Sequence, residues 1–315
     1  MKKFRKDPNK MPRETSIIKR AISADGGIRV IFCDSTAIVR RACEIHHTSK
    51  TMTAVLGRAL TATSLMASLL KDMDNTLTLQ IRGDGPCGSV VCVGDYKGNV
   101  RGYADDMTVE LPPNSLGKLD VGGAVGSGSL YVIKDMGMNE PYIGVSPIVT
   151  GEIAEDITEY FANSEQTPTV CALGVRVDTD NMCFAAGGYL IQLMPGYQDE
   201  DVDRLETNVN MAGSISKLIA DGMDGDEIIA HLFEGIEYQM FDEFDIAYRC
   251  SCERERYLKA LVSLSEKDMQ ELRDANEPVE TCCHFCGTKY TFDLSEIDEA
   301  RAAAKAEAET VEDPE

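Results

Sequence analysis

At 315 residues and 43% hydrophobic content, the chain has room for one large domain or two ordinary ones with a real core. Its formal net charge of -22 makes it a poor partner for phosphate backbones or anionic lipid, and no stretch approaches the length of a membrane span. Charged residues at 27% with 6% aromatics describe a globular protein rather than a disordered one.

The first twenty residues carry eight Lys or Arg against Asp7 and Glu14. No apolar h-region follows, because Met11-Pro12-Arg13-Glu14 interrupts and only Ser16-Ile17-Ile18 is briefly apolar. The stretch reads as a solvated basic arm, and the expected location is the cytoplasm. Gly27 to Asp34 follows a Gly-Gly turn and reads as a strand. From Thr36 to Lys71 apolar residues recur at helical spacing, among them Val55, Leu56, Ala59, Leu60 and Met66. Alternation returns with Leu77, Leu79 and Ile81, and strands follow over 89–93 and 100–104 as an antiparallel meander. Further strands are predicted over 129–134 and 142–149, a helix over 152–164, and a strand pair over 167–177 and 183–193 joined at Asp178-Thr179-Asp180-Asn181. Residues 1–196 thus read as an α+β core domain.

Composition shifts after Met194-Pro195-Gly196. Residues 197–247 hold fourteen acidic residues against Arg204 and Lys217, yet keep helical stripes such as Val202, Leu205, Val209 and Ile228, Ile229, Leu232. Asp224 and Glu227 have capping-box spacing. Two readings stand: a metastable helical linker whose like charges oppose packing, or an ordinary acidic helical layer on the core. Residues 293–315, with nine acidic side chains, read as an acidic tail, a solvated helix fraying into disorder.

The eleven cysteines are an odd number, and in a chain without an export signal they point to metal or redox chemistry rather than structural disulfides. Cys250-Ser251-Cys252 and Cys283-His284-Phe285-Cys286 lie thirty residues apart. Two close thiol pairs brought together by an intervening segment suit tetrahedral Zn²⁺, and soft thiolates select it over harder cations. A 248–292 module of this size with thin apolar helices needs such a tie to fold. One zinc ion per chain is therefore expected on Cys250, Cys252, Cys283 and Cys286. Cys282 is either a spare thiol or a substitute for Cys283, and His284 reads as outside the ligand set. The remaining six cysteines (33, 43, 87, 92, 171 and 183) read as small buried hydrophobes.

Gly83-Asp84-Gly85-Pro86-Cys87-Gly88 matches the dinucleotide fingerprint, but a strand rather than a helix follows it, and Pro86 removes an amide where donors are needed. It reads as a strand-to-strand turn. No Ser–His–Asp set, HExxH or phosphate loop is present, so no enzyme is expected. The CxxC sits in a zinc knuckle instead of a helix N-terminus, which argues against a thiol oxidoreductase. The alternative of a constitutive zinc-ribbon nucleic-acid-binding protein is opposed by the acidity and by the lack of a Lys/Arg stripe.

With the CxC and CxxC pairs behind an acidic helical linker and an α+β domain, the chain resembles the heat-shock protein 33 family of redox-regulated holdase chaperones. The likeness extends to 79–86 (LQIRGDGP), to Glu159-Tyr160-Phe161 with Ser164-Glu165-Gln166-Thr167-Pro168, and to Ala186-Gly187-Gly188 leading into Gln192-Leu193-Met194-Pro195. It implies an ATP-independent chaperone that protects unfolding proteins from aggregation under oxidative stress. The reduced, zinc-bound monomer would be inactive. Oxidation would form the disulfides Cys250–Cys252 and Cys283–Cys286, expel zinc, unfold the C-terminal module, loosen the linker and produce a client-binding homodimer. Each implied disulfide closes only a tiny loop, whereas the metal closes one of about thirty residues, worth roughly 3–4 kcal/mol. Cys282 is the one departure from the family's pattern.

Overall fold

The computed structural model describes residues 15–275 and 277–311, and the chain divides into two compact units, Met1–Arg249 and Cys250–Glu315. The architecture is α+β with a small C-terminal unit that carries the paired cysteines.

The first unit contains two five-stranded antiparallel sheets. One runs β10-β1-β2-β9-β8, from β1 (Ser16–Ser23), β2 (Ile28–Asp34), β8 (Thr169–Val177), β9 (Cys183–Leu193) and β10 (Tyr238–Ile246). The other runs β5-β4-β3-β6-β7, from β3 (Thr76–Gly83), β4 (Ser89–Asp95), β5 (Val100–Ala104), β6 (Gly128–Asp135) and β7 (Tyr142–Pro147). Helix α2 (Lys50–Ala67) packs on strands of both sheets and is buried almost all round. A helix so placed must satisfy its own polar side chains. Thr61 and Thr63 do so by donating to the carbonyls of Gly57 and Ala59, each at 2.7 Å.

The single helical run expected over 36–71 is in fact two helices. His47 adopts a left-handed φ of 51° and closes α1 (Thr36–His46), and the Ser49 side chain accepts the Met52 amide to open α2. The glycine-rich 83–88 segment is a strand-to-strand turn, as expected. A Cβ at Gly83 would meet the Val125 carbonyl oxygen at 1.8 Å, and the Gly85 and Cys87 amides donate to carbonyls of Val125 and Ala124 at the short helix α3 (Val121–Val125). The helix expected over 152–164 is α4 (Ala154–Tyr160) continued by a π-turn at Phe161–Glu165.

Helices α5 (Asp199–Ala212), α6 (Ile215–Ala220) and α7 (Gly225–Leu232) lay their apolar sides on the face of the first sheet that α2 does not cover. Val30, Phe32, Tyr189 and Ile191 meet Leu205, Ile215, Ile228, Ile229 and Leu232 there, while Ile31 and Cys33 point into the other core. That explains why β2 is buried on both faces and reads as a continuous apolar run. Asp224 and Glu227 form the reciprocal capping box at the start of α7.

Two expectations need correction in this unit. Residues 238–246, within the segment read as helical, form β10, which pairs with β1 from Ser16↔Ile246 to Ser23↔Tyr238. Lys19 and Arg20, read as part of a solvated basic arm, lie on β1, and the Lys19 side chain is only 5% exposed. The other basic residues of that arm, up to Arg13, lie outside the described residues.

The second unit comprises α8 (Arg254–Val262), α9 (Glu266–Ala275), the hairpin β11 (Val279–Cys282) with β12 (Lys289–Phe292), and α10 (Leu294–Val311). Among the described residues its buried apolar core is Leu261, Met269, Phe292 and Ile297. The acidic tail is therefore not simply solvated. Ile297 of α10 is in the core, Arg254 makes a two-pronged ion pair with Glu296, and Arg301 donates to the Val262 and Leu264 carbonyls. Residues 312–315 lie outside the described residues. Among the described residues no helix is long and apolar enough to cross a membrane.

Candidate metal centre

Cys250 and Cys252 sit on the irregular strand-like segment just before α8, and Cys283 and Cys286 sit in the turn between β11 and β12. That turn is tight for local reasons. Gly287 takes a φ of 71°, its amide donates to the Cys283 carbonyl at 2.8 Å, and the Cys283 amide donates to Thr288 at 2.9 Å. Two thiols three residues apart are thereby aimed to the same side.

The four sulfurs lie within 4.8 Å of one another. Two approaches run between the segments: 3.7 Å from Cys250 to Cys283 and 3.3 Å from Cys252 to Cys286. Four sulfurs at about 2.3 Å from a tetrahedral zinc are roughly 3.8 Å apart, so the cluster has the size such an ion requires. Four protein ligands fill that coordination shell, the arrangement of a structural rather than a catalytic ion. The residues thus fit zinc in donor type, number and spacing.

Side chains around the sulfurs prepare them. Tyr290 donates from its hydroxyl to the Cys252 carbonyl at 3.1 Å and lies 3.3 Å from the Cys252 sulfur. Thr288 approaches the Cys286 sulfur at 3.1 Å, and the Tyr257 and Tyr290 rings pack with centroids 5.0 Å apart. Burial pushes the Cys250 and Cys252 thiols up. Burial opposes ionisation of Cys283 too, but the Tyr257 hydroxyl and the amides of Cys286 and Phe285 outweigh it and draw that thiol down to about 6. One preformed thiolate beside three further sulfurs is a nucleus for a cation.

Each of the four cysteines singled out by spacing is in this cluster. Cys282 is exposed at the end of β11 and its sulfur is not part of the cluster; His284 is exposed as well. The other six cysteines are buried in the first unit, where burial pushes Cys33, Cys92 and Cys171 far up, Cys87 to about 11 and Cys183 to about 12. The supporting roles of Tyr257, Thr288 and Tyr290 were not read from the sequence. The available signal was a phenol four residues beyond Cys286 on a strand facing the knuckle.

Comparison with known proteins agrees with this arrangement. A family model described as "Hsp33 protein" matches residues 16–293. The chain is 44% identical over 280 residues to a 33 kDa chaperonin of Lachnoclostridium phytofermentans, covering 89% of this chain and 96% of that one. It is 43% identical over 281 residues to one from Ruminiclostridium cellulolyticum, with the same coverage of 89% and 96%. Among solved structures, the 33 kDa chaperonin (heat shock protein 33 homolog) of Thermotoga maritima aligns with a TM-score of 0.86 and 34% identity, over 93% of this chain and 100% of that one. A sequence signature, a four-sulfur cluster and a near-complete structural match converge, and the chain belongs to the heat-shock protein 33 family.

Proposed function

We propose that this chain is a redox-regulated, ATP-independent chaperone of the holdase type, with Cys250, Cys252, Cys283 and Cys286 as both its zinc ligands and its switch. Membership in a family whose relatives are named chaperonin supports binding of unfolded clients. The observation that carries the redox reading is the gathering of four sulfurs from two segments in a unit whose apolar core, among the described residues, is a buried cluster of four side chains. Zinc bound there supplies a tie between those segments that the small core does not replace.

One peroxide per pair takes two electrons from two zinc-bound thiolates, forms one sulfur–sulfur bond, and is reduced to two waters with two protons from solvent, as the zinc ion is released. The pairing implied by the family, Cys250–Cys252 with Cys283–Cys286, leaves no covalent link between the segments. The C-terminal unit then loses its tie, the acidic helical layer loosens, and apolar surface becomes available to clients and to a second copy of the chain. The fourteen like charges of 197–247 favour that loosening. The expected setting is the reducing cytoplasm, where the thiols stay metal-bound until an oxidant arrives.

The test follows zinc content, free-thiol count and suppression of client aggregation before and after peroxide at mild heat. One zinc per chain should leave as four thiols disappear, and chaperone activity should appear in step. Peptide mapping gives the decisive alternative. The Cys252 and Cys286 sulfurs, on different segments, lie 3.3 Å apart, so a disulfide between them would preserve the tie, and finding it in fully active protein would sink the switch.

A further inference from the structure

A cavity of about 220 Å³ opens between the two sheets of the first unit, at the C-terminal end of α2. Its apolar wall is Met66, Leu69, Leu70, Leu77 and Phe161. Its polar wall is Arg29 on β2, Gln192 on β9, and the ion pair of Lys134 on β6 with Glu165. The segments around Phe161, Glu165 and Thr167 and around Gln192 and Met194, on which the family resemblance partly rests, meet here, and the cysteine chemistry uses neither.

The charges of this wall do not balance. Lys134 is held by Glu165, which also accepts from the Tyr160 hydroxyl, and nearby Arg20 is paired with Asp242 at 2.8 Å. Arg29 has no such partner: among the described residues no carboxylate lies within ion-pairing distance of it. Its Nη2 donates to the neutral Gln192 side chain, and its Nε is buried with no acceptor among the described residues. Gln192, at 2% exposure, is itself fixed by donating to Thr169. Burial and the like charge of Arg20 push the Arg29 guanidinium below its ordinary range, yet an arginine does not discharge in a protein. Arg29 is half-buried, and in a chain of net charge -22 with carboxylates in abundance it stands apart from its ion-paired neighbours. A cation left open beside an apolar wall is the layout of a site for an anion with an apolar body. The π-turn at Phe161–Glu165, a distortion frequent at functional sites, supplies a residue to each wall.

We infer that this cavity binds a small free carboxylic acid, its carboxylate on the forked donors of Arg29 and its short hydrocarbon body against Leu70, Leu77 and Phe161. The site belongs to the first unit alone and does not depend on the redox reading of the cysteines.

The test titrates full-length, reduced, zinc-loaded protein with hexanoate, hexanamide and acetate by calorimetry, with thermal melts in parallel. Hexanoate should saturate one site per chain and raise the melting temperature. Hexanamide and the Arg29→Met variant should each bind more weakly by more than about thirtyfold, the usual scale for removing one half of a buried charged pair. Leu70→Phe, which fills the apolar end without touching the guanidinium, should abolish binding while leaving zinc content unchanged. Should Arg29→Met fail to fold, the amide and Leu70→Phe comparisons decide. Absence of saturable hexanoate binding, or equal binding of acid and amide, overturns the inference. Acetate binding as tightly as hexanoate overturns the apolar part of it.

Discussion

Cys283 is buried, at 2% exposure, and is the sulfur that its surroundings push toward the thiolate, while burial holds Cys250 and Cys252 protonated. The pH dependence follows. Near neutrality Cys283, at about 6, is already ionised, and zinc must displace at least the protons of Cys250 and Cys252. At least two protons released per ion make the apparent affinity rise by at least about a hundredfold per pH unit. Below pH 6 Cys283 takes up its proton as well and the dependence steepens. Competition against a chromophoric chelator from pH 5.5 to 8 measures this slope, and a flat profile would contradict it. In the metal-free unit the sign is the same for Cys283: its depressed value stabilises the fold above the ordinary thiol range, and that stabilisation is lost as pH falls through 6. The same geometry separates neighbours. Cys283→Ser should cost more than about a hundredfold in zinc affinity and Tyr290→Phe about tenfold, whereas Cys282→Ser should leave it unchanged. At this scale the four clustered cysteines were legible because thiol spacing is a local property of the chain. Tyr257 and Tyr290 were not, because a phenol on an apolar-looking helix or strand declares its partner only after the fold brings the cysteines to it.

Elements were legible where one periodicity governed them and illegible where partners from far along the chain did. The meander β3–β5 and the α7 capping box are local, and both follow from the sequence. The β1–β10 pairing joins residues more than two hundred apart, and β10 is mostly exposed and carries Asp242, Glu243 and Asp245, a charged edge that hides its strand character. Lys19 is the side chain that links these elements. From β1 it reaches Asp226 of α7 at 2.8 Å and Glu243 of β10 at 2.7 Å. Both carboxylates are at least half exposed, so Lys19→Met leaves no stranded buried charge and should cost only about 1 kcal/mol. Lys19→Glu sets a buried carboxylate against two others and should cost roughly 3 kcal/mol or more. Hydrogen exchange at α7 and β10 amides should accelerate strongly in the second variant and little in the first. Equal protection in both would deny Lys19 its role in holding the acidic layer down. On the proposed function, Lys19→Glu should also raise basal aggregation suppression in the reduced, zinc-loaded protein.

For the whole molecule, the division of labour reflects how much core each unit owns. The first unit buries two large clusters on either side of one sheet, with α2 wholly enclosed. The second has, among the described residues, a buried apolar cluster of four side chains and ion pairs on its surface, such as Arg273 with Glu266 and Asp298. Exposed pairs of that kind add little stability. That the 250–286 region is poor in apolar residues was legible in its composition; that α10 shares its core through Ile297 was not, since a lone isoleucine in an Ala- and Glu-rich helix carries no periodic signal. A structural zinc contributes on the order of 10–16 kcal/mol, comparable to the whole stability of an ordinary domain at about 5–15 kcal/mol. Chelation of reduced protein should therefore unfold the second unit without any oxidant. Limited proteolysis should then cut within α8 to α10 while the first unit keeps its own cooperative melt, and readdition of zinc should restore protection. A C-terminal unit that stays protease-resistant after quantitative zinc removal would mean that its four-residue core suffices, and the cysteines would then be passengers on the fold instead of its fastening.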